Sequence, residues 1–159
     1  MSFRLGNLVA VTALAVGLMA GTAQAQERMV EGEMAAEAVK YRVNIMRAMG
    51  AHMAAMGAIL QGKVENKGDL AAHAAALDGL AGMWGDLFPK GSDSAESRMK
   101  PELFDNRAEV NGIISAMKDA TAKVAAAAAA GDMAGVGQNM GAVGQQCGAC
   151  HRTYRLPQS

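Results

Sequence analysis

Apolar residues recur at steps of three and four along most of the chain, in four blocks separated by glycine- and proline-containing breaks. The first block runs from about Gly32 to Gln61 and carries Val39, Val43 or Arg42, Met46, Met49, Met53, Met56 and Leu60 along one stripe, the spacing of an amphipathic helix. Gly62 follows as a C′ glycine. The second block, about Lys67 to Asp86, repeats the pattern with Leu70, Ala74, Leu77, Leu80 or Ala81, Trp84 and Leu87. Between Phe88 and Lys100 the period is lost in a stretch rich in Pro, Gly and Ser, the longest connection in the chain.

Pro101 suits the first position of a third helix, where a missing N–H costs nothing. Its stripe is Phe104, Val110, Ile113 or Ile114, Met117, Val124 and Ala127 or Ala128, and Gly131 ends it. Asp132 is a good N-cap for the fourth, in which Met133, Val136, Met140, Val143, Cys147, Cys150 and Tyr154 lie on one side. Five glycines, Gly135, Gly137, Gly141, Gly144 and Gly148, weaken this helix by roughly 1 kcal/mol each relative to alanine. Packing against something large must offset that loss. No strand alternation competes, and no repeat with a period of roughly 20 to 50 residues is present. Four helices of about 20 to 30 residues on mostly short links predict an all-α, antiparallel up-down-up-down four-helix bundle.

The N-terminal segment belongs to none of these helices. Arg4, an apolar run from Leu8 to Ala20 and Ala23-Gln24-Ala25 read as a secretory signal peptide over residues 1–25, cleaved before Gln26. No later segment is expected to span a bilayer, so residues 26–159 form one domain of a chain expected in the bacterial periplasm. Loss of Arg4 leaves 14 Lys and Arg against 15 Asp and Glu, a balance that argues against nucleic acid as a partner. Plentiful Ala and Met with few β-branched residues favour helix over sheet.

The chemistry concentrates at the end of the fourth block. Cys147-Gly148-Ala149-Cys150-His151 holds both cysteines of the chain in the attachment signature of a c-type haem. On a helix, residues three and four apart share a face. Two thiols there could add to the porphyrin vinyl groups while the imidazole meets the iron from the same turn. A thioredoxin-like dithiol would need a βαβ context, and structural zinc would need four ligands. A disulfide across one helical turn would be strained and gives His151 no part. There is no carboxylate pair, nucleophile–base constellation or phosphate loop, so no enzymatic turnover is expected. His52 and His73 read as boundary residues.

With this motif closing the last helix, the chain resembles the class II c-type cytochromes, the cytochrome c′ and cytochrome c556 family. The likeness rests on Tyr41-Arg42 with Met46, Met49-Gly50-Ala51-His52 and Met56; on Trp84 with Leu87 to Ser92; on Lys100-Pro101-Glu102; and on Cys147 through Arg155. It implies one haem c per chain, covalently held by Cys147 and Cys150, with His151 as the proximal iron ligand. It also places Met46 opposite that histidine, where the c556 branch uses a methionine as sixth ligand and the c′ branch leaves the iron five-coordinate. Arg42 matches a family arginine near the haem propionates, and Arg155 one beside the proximal imidazole. The implied function is an electron carrier working with periplasmic redox proteins; the alternative is uptake of nitric oxide or carbon monoxide at an open distal site. Family members often form homodimers through the first two helices.

Overall fold

The computed structural model describes residues 29–93 and 97–157; the expected signal peptide and its cleavage point lie outside them. Helix α1 spans Gly32–Leu60, α2 Leu70–Gly82, α3 Glu102–Asp105, α4 Arg107–Ala129 and α5 Met133–Tyr154. Helix α2 is extended at both ends by 3₁₀ turns, Lys67–Asp69 and Met83–Asp86, so the second periodic block is helical almost throughout.

The helix ends follow from local chemistry. Gly62 and Gly131 adopt φ +66° and +70°, and each closes a double turn: Gly62 N–H reaches Ile59 O and Lys63 N–H reaches Ala58 O, as Gly131 and Asp132 reach Ala128 O and Ala127 O. These bonds satisfy carbonyls that a helix C-terminus otherwise leaves open. At the start of α5 the Asp132 carboxylate accepts from Gly135 N–H at 2.9 Å. Gly91, at φ +90°, lies so close to Val30 O that an added Cβ would collide with it; Val30 N–H donates to Lys90 O at 2.9 Å.

Helix α2 packs against both α1 and α4, and α5 packs along α4. Ala74, Leu77 and Ala81 are fully buried there, with Met56, Met117 and Val124 around them; burying a side chain of the larger sizes contributes about 1.5 to 3 kcal/mol. Thr121 of α4, also fully buried, donates from Oγ1 to Asp78 Oδ1 at 2.8 Å, and Trp84 Nε1–H points at Met49 Sδ at 2.9 Å. The four long helices form the expected bundle. Among the described residues there is no strand, only the isolated bridges Met29–Lys90 and Met99–Arg155.

Three expectations need correction. The third helix does not run unbroken from Pro101: Pro101 is the N-cap of the four-residue α3, and the chain breaks at Asn106 before α4 begins. Asn106 Nδ2 donates to Glu102 O at 2.9 Å, a side-chain alternative to helix continuation, and it is Leu103 rather than Phe104 that is fully buried. In α1 the deepest line is rotated toward Ile45 and Ile59, while Met46, Met53 and Leu60 are only half-buried. Finally, α1 is long and apolar enough to cross a membrane by length and composition, although no segment after the leader was expected to be. Its Ile45, Met49, Met56 and Ile59 belong to the bundle core.

Candidate functional site

Helices α1 and α5 scarcely meet, and the space between them is a cavity of about 520 Å³. Its walls explain the half-burial of Met46. Helix α1 contributes Arg42, Val43, Met46 and Arg47; α5 contributes Cys150, His151 and Tyr154; Trp84, Phe88, Met99 and Leu103 add apolar surface, and Ser97, Arg98 and Arg155 complete the lining. Cofactor pockets are typically apolar clefts of roughly 300 to 1,000 Å³ with a few placed polar groups.

Helix α5 presents its chemistry on this side. Cys147 and Cys150 are half-buried and unpaired with each other, both packed against the core, and Cys150 and His151 face the cavity directly. Burial pushes both thiols above the ordinary cysteine value, which keeps them protonated. His151 is shifted the other way, by burial first and then by the charges of Arg155 and Arg98, so the imidazole is held neutral, the form that binds a metal. Tyr154 closes the turn: its buried hydroxyl donates to Glu109 Oε2 at 2.9 Å, and burial together with that carboxylate pushes its pKa up to about 12.

The end of α5 is fixed from outside the helix. Lys100 N–H donates to Tyr154 O at 2.9 Å and Leu156 N–H to Arg98 O at 2.7 Å, while Lys100 Nζ takes Thr153 O at 3.0 Å. Met99 pairs with Arg155 as an isolated antiparallel bridge. The irregular stretch before α3 is thereby stitched beside His151, which brings Arg98 and Met99 into the cavity wall.

Arg42 faces the cavity but is engaged elsewhere. At 5% exposure, it donates from Nη1 to Leu87 O at 3.0 Å and Ser92 Oγ at 2.8 Å, and from Nη2 to Ser92 O and Ser97 Oγ, both at 2.8 Å. Its guanidinium lies 5.7 Å from the Phe88 ring centre. Burial lowers its pKa against the opposing charge of Asp93. The arginine is a clamp on the connection between α2 and α3 as well as part of the wall.

Of the residues singled out in the sequence, Arg42, Met46, Cys150, His151 and Arg155 line this one cavity, with Cys147 a turn behind. His52 and His73 are not in it: their Nδ1 atoms are 2.9 Å apart and their rings meet edge to face between α1 and α2. Arg98 and Ser97 were missed because they lie in a segment without periodicity, where only the tertiary pairing with Arg155 and Leu156 places them.

A haem suits this cavity on two observations. The lining is largely apolar, and two thiols and an imidazole share the adjoining helix face. The family comparison decides the matter: the sequence model of the family described as Cytochrome C' matches residues 37–155. The chain belongs to the cytochrome c′ family. As a member of that family it is a haem protein. It is 32% identical over 118 residues to a cytochrome c′ of Pararhodospirillum photometricum, covering 74% of this chain and 94% of that one. A cytochrome c-554 of Cereibacter sphaeroides is 32% identical over 154 residues, covering 94% and 91%. Among solved structures, a variant of cytochrome c prime from Alcaligenes xylosoxidans with bound NO superposes at a TM-score of 0.72 with 27% identity, covering 80% of this chain and all of that one. A carbon monoxide-bound variant of the same protein gives 0.72 at 28%.

Proposed function

We propose that this cytochrome is a periplasmic electron carrier with one covalently attached haem c per chain and no turnover of its own. One observation carries the reading: Met46 of α1 and His151 of α5 line the same cavity from opposite helices. Cys147 and Cys150 would hold the porphyrin through thioethers, His151 would bind the iron, and Met46 would take the sixth position. The haem supplies a one-electron couple at its iron. The chain's part is to hold that group rigidly, keep the imidazole neutral and exclude water with Val43, Trp84, Phe88, Met99 and Leu103. A thioether ligand favours the ferrous state and closes the iron to outside ligands. Arg47 and Arg155 are exposed at the cavity's edge, and among the described residues no carboxylate lines it, which suits a redox partner with an acidic face.

Absorption and electron paramagnetic resonance spectra of the natively matured protein test this. Low-spin iron that becomes high-spin in Met46→Ala supports the carrier; high-spin iron in the wild type overturns ligation by Met46. That second result would favour uptake of nitric oxide or carbon monoxide at an open distal site, a reading supported by solved relatives that carry these gases.

A further inference from the structure

His52 of α1 and His73 of α2 take no part in the cavity, and the chain holds only one other histidine, His151. Their Nδ1 atoms are 2.9 Å apart, and the rings meet edge to face with centres 5.2 Å apart. Both side chains are half-buried, so solvent reaches them. One turn away on the two helices stand Ala48, Ala55 and Ala76, small and uncharged neighbours on the same faces. Asp69 lies one turn before His73. The pair is not needed to join the helices, because Met56, Ala74 and Leu77 already do so in the core.

We infer that His52 and His73 form a two-histidine clip across α1 and α2 for a divalent late transition-metal ion, copper(II) or nickel(II). Imidazole nitrogen suits these ions, and the separation selects among them. Two nitrogens, each about 2.0 to 2.1 Å from one ion, are about 2.9 Å apart when they subtend a right angle and about 3.3 to 3.4 Å at the tetrahedral angle. The 2.9 Å between the Nδ1 atoms matches the right angle of a square-planar or tetragonal centre, which copper(II) and nickel(II) adopt, whereas structural zinc is tetrahedral. In the hydrogen-bonded pair one Nδ1–H donates and the other Nδ1 accepts. Binding moves that proton to Nε2 of its own ring, a change of tautomer with no net release, and turns both lone pairs off the line between the nitrogens toward the ion. Among the described residues no third His, Cys, Asp or Glu completes a metal-ligating group here, so water fills the remaining positions and the ion exchanges freely. Such a clip ties together the helices that bring Met46 and, through the turn after α2, Trp84 to the cavity wall.

Isothermal titration calorimetry of the matured ferric holoprotein with copper(II) chloride, and separately with nickel(II) chloride, tests this in wild type, His52→Gln and His73→Gln. The expected result is one ion per wild-type chain, copper(II) held more tightly than nickel(II) or zinc(II). Affinity should fall in each variant by more than about tenfold, the least that loss even of a residue supporting a metal ligand typically costs. Because the clip exists only in the folded chain, nickel(II) should raise the urea midpoint of the wild type and leave those of both variants in place. The haem absorption bands should not move on titration, since the pair lies outside the cavity. Absence of binding in the wild type overturns the inference, as does equal affinity in all three proteins. Loss in one variant alone shows a single-histidine contact and overturns the clip, and a shift of the haem bands places the ion at the haem instead. A wild type without haem would overturn the function and leave this test standing, because the two variants locate the ion by themselves.

Discussion

Replacing Arg42 by methionine should destabilise the protein by about 3 kcal/mol, and the structure says where that comes from. Four hydrogen bonds to a charged donor would sum to far more at the usual 1.5 to 3 kcal/mol each, but desolvation of the guanidinium offsets much of it. What remains is the cost of the groups left behind. Ser92 Oγ keeps Pro89 O as a partner at 2.8 Å, and Ser97 Oγ keeps Met99 N–H at 3.1 Å. The carbonyls of Leu87 and Ser92 lose the donor that Arg42 gave them, at about 1 to 3 kcal/mol each, reduced where water enters from the cavity. Methionine fills most of the volume, which limits the cavity contribution. Urea unfolding of the holoprotein, followed by circular dichroism at the helix band, reads the difference. With a slope of about 1.5 kcal/mol per molar, the midpoint should fall by roughly 2 M. Arg42→Lys should recover only part of this, because one ammonium cannot span the four acceptors. A loss below about 1 kcal/mol in Arg42→Met would refute the clamp.

Other expectations follow from α5. Gly141 is exposed and an added Cβ would meet nothing within 4 Å, so Gly141→Ala should stabilise the protein by about 0.5 to 1 kcal/mol, seen as a higher urea midpoint. Asp132→Ala removes the bond to Gly135 N–H and should cost about 1 kcal/mol by the same assay. Tyr154 has a folded pKa raised to about 12 from an unfolded value near 10, so the folded state holds its proton more tightly. Its contribution is complete below about pH 10 and is lost as pH rises through 12. Wild type should therefore lose more stability than Tyr154→Phe between pH 10 and 12; parallel curves would contradict the assignment.

What could be read from the sequence was whatever repeats locally. Helix α1 announces itself by a stripe that ends at Gly62, α5 by one that begins after Asp132 and α2 by Leu70, Ala74 and Leu77, and the haem motif is five contiguous residues. The rest depends on contacts across the chain. Arg42 lies on the apolar stripe of α1, yet its burial is explained only by Ser92 and Ser97, some fifty residues on. Asn106 breaks a helix whose apolar period continues across the break, through a side-chain bond that propensity does not register. Arg98 sits in a stretch with no period at all. The half-buried line of α1 through Val43 and Met46 looks like core in sequence and is instead the wall of a cavity, a distinction that needs the opposite helix in place.

Mass spectrometry of the exported protein, made in a host competent in cytochrome maturation, reads directly whether a porphyrin is attached. The expected result is a single haem added to the chain, carried on the peptide containing Cys147 and Cys150, and lost from covalent attachment when both are replaced by alanine. Two unmodified thiols in that peptide, from a colourless protein, would contradict it.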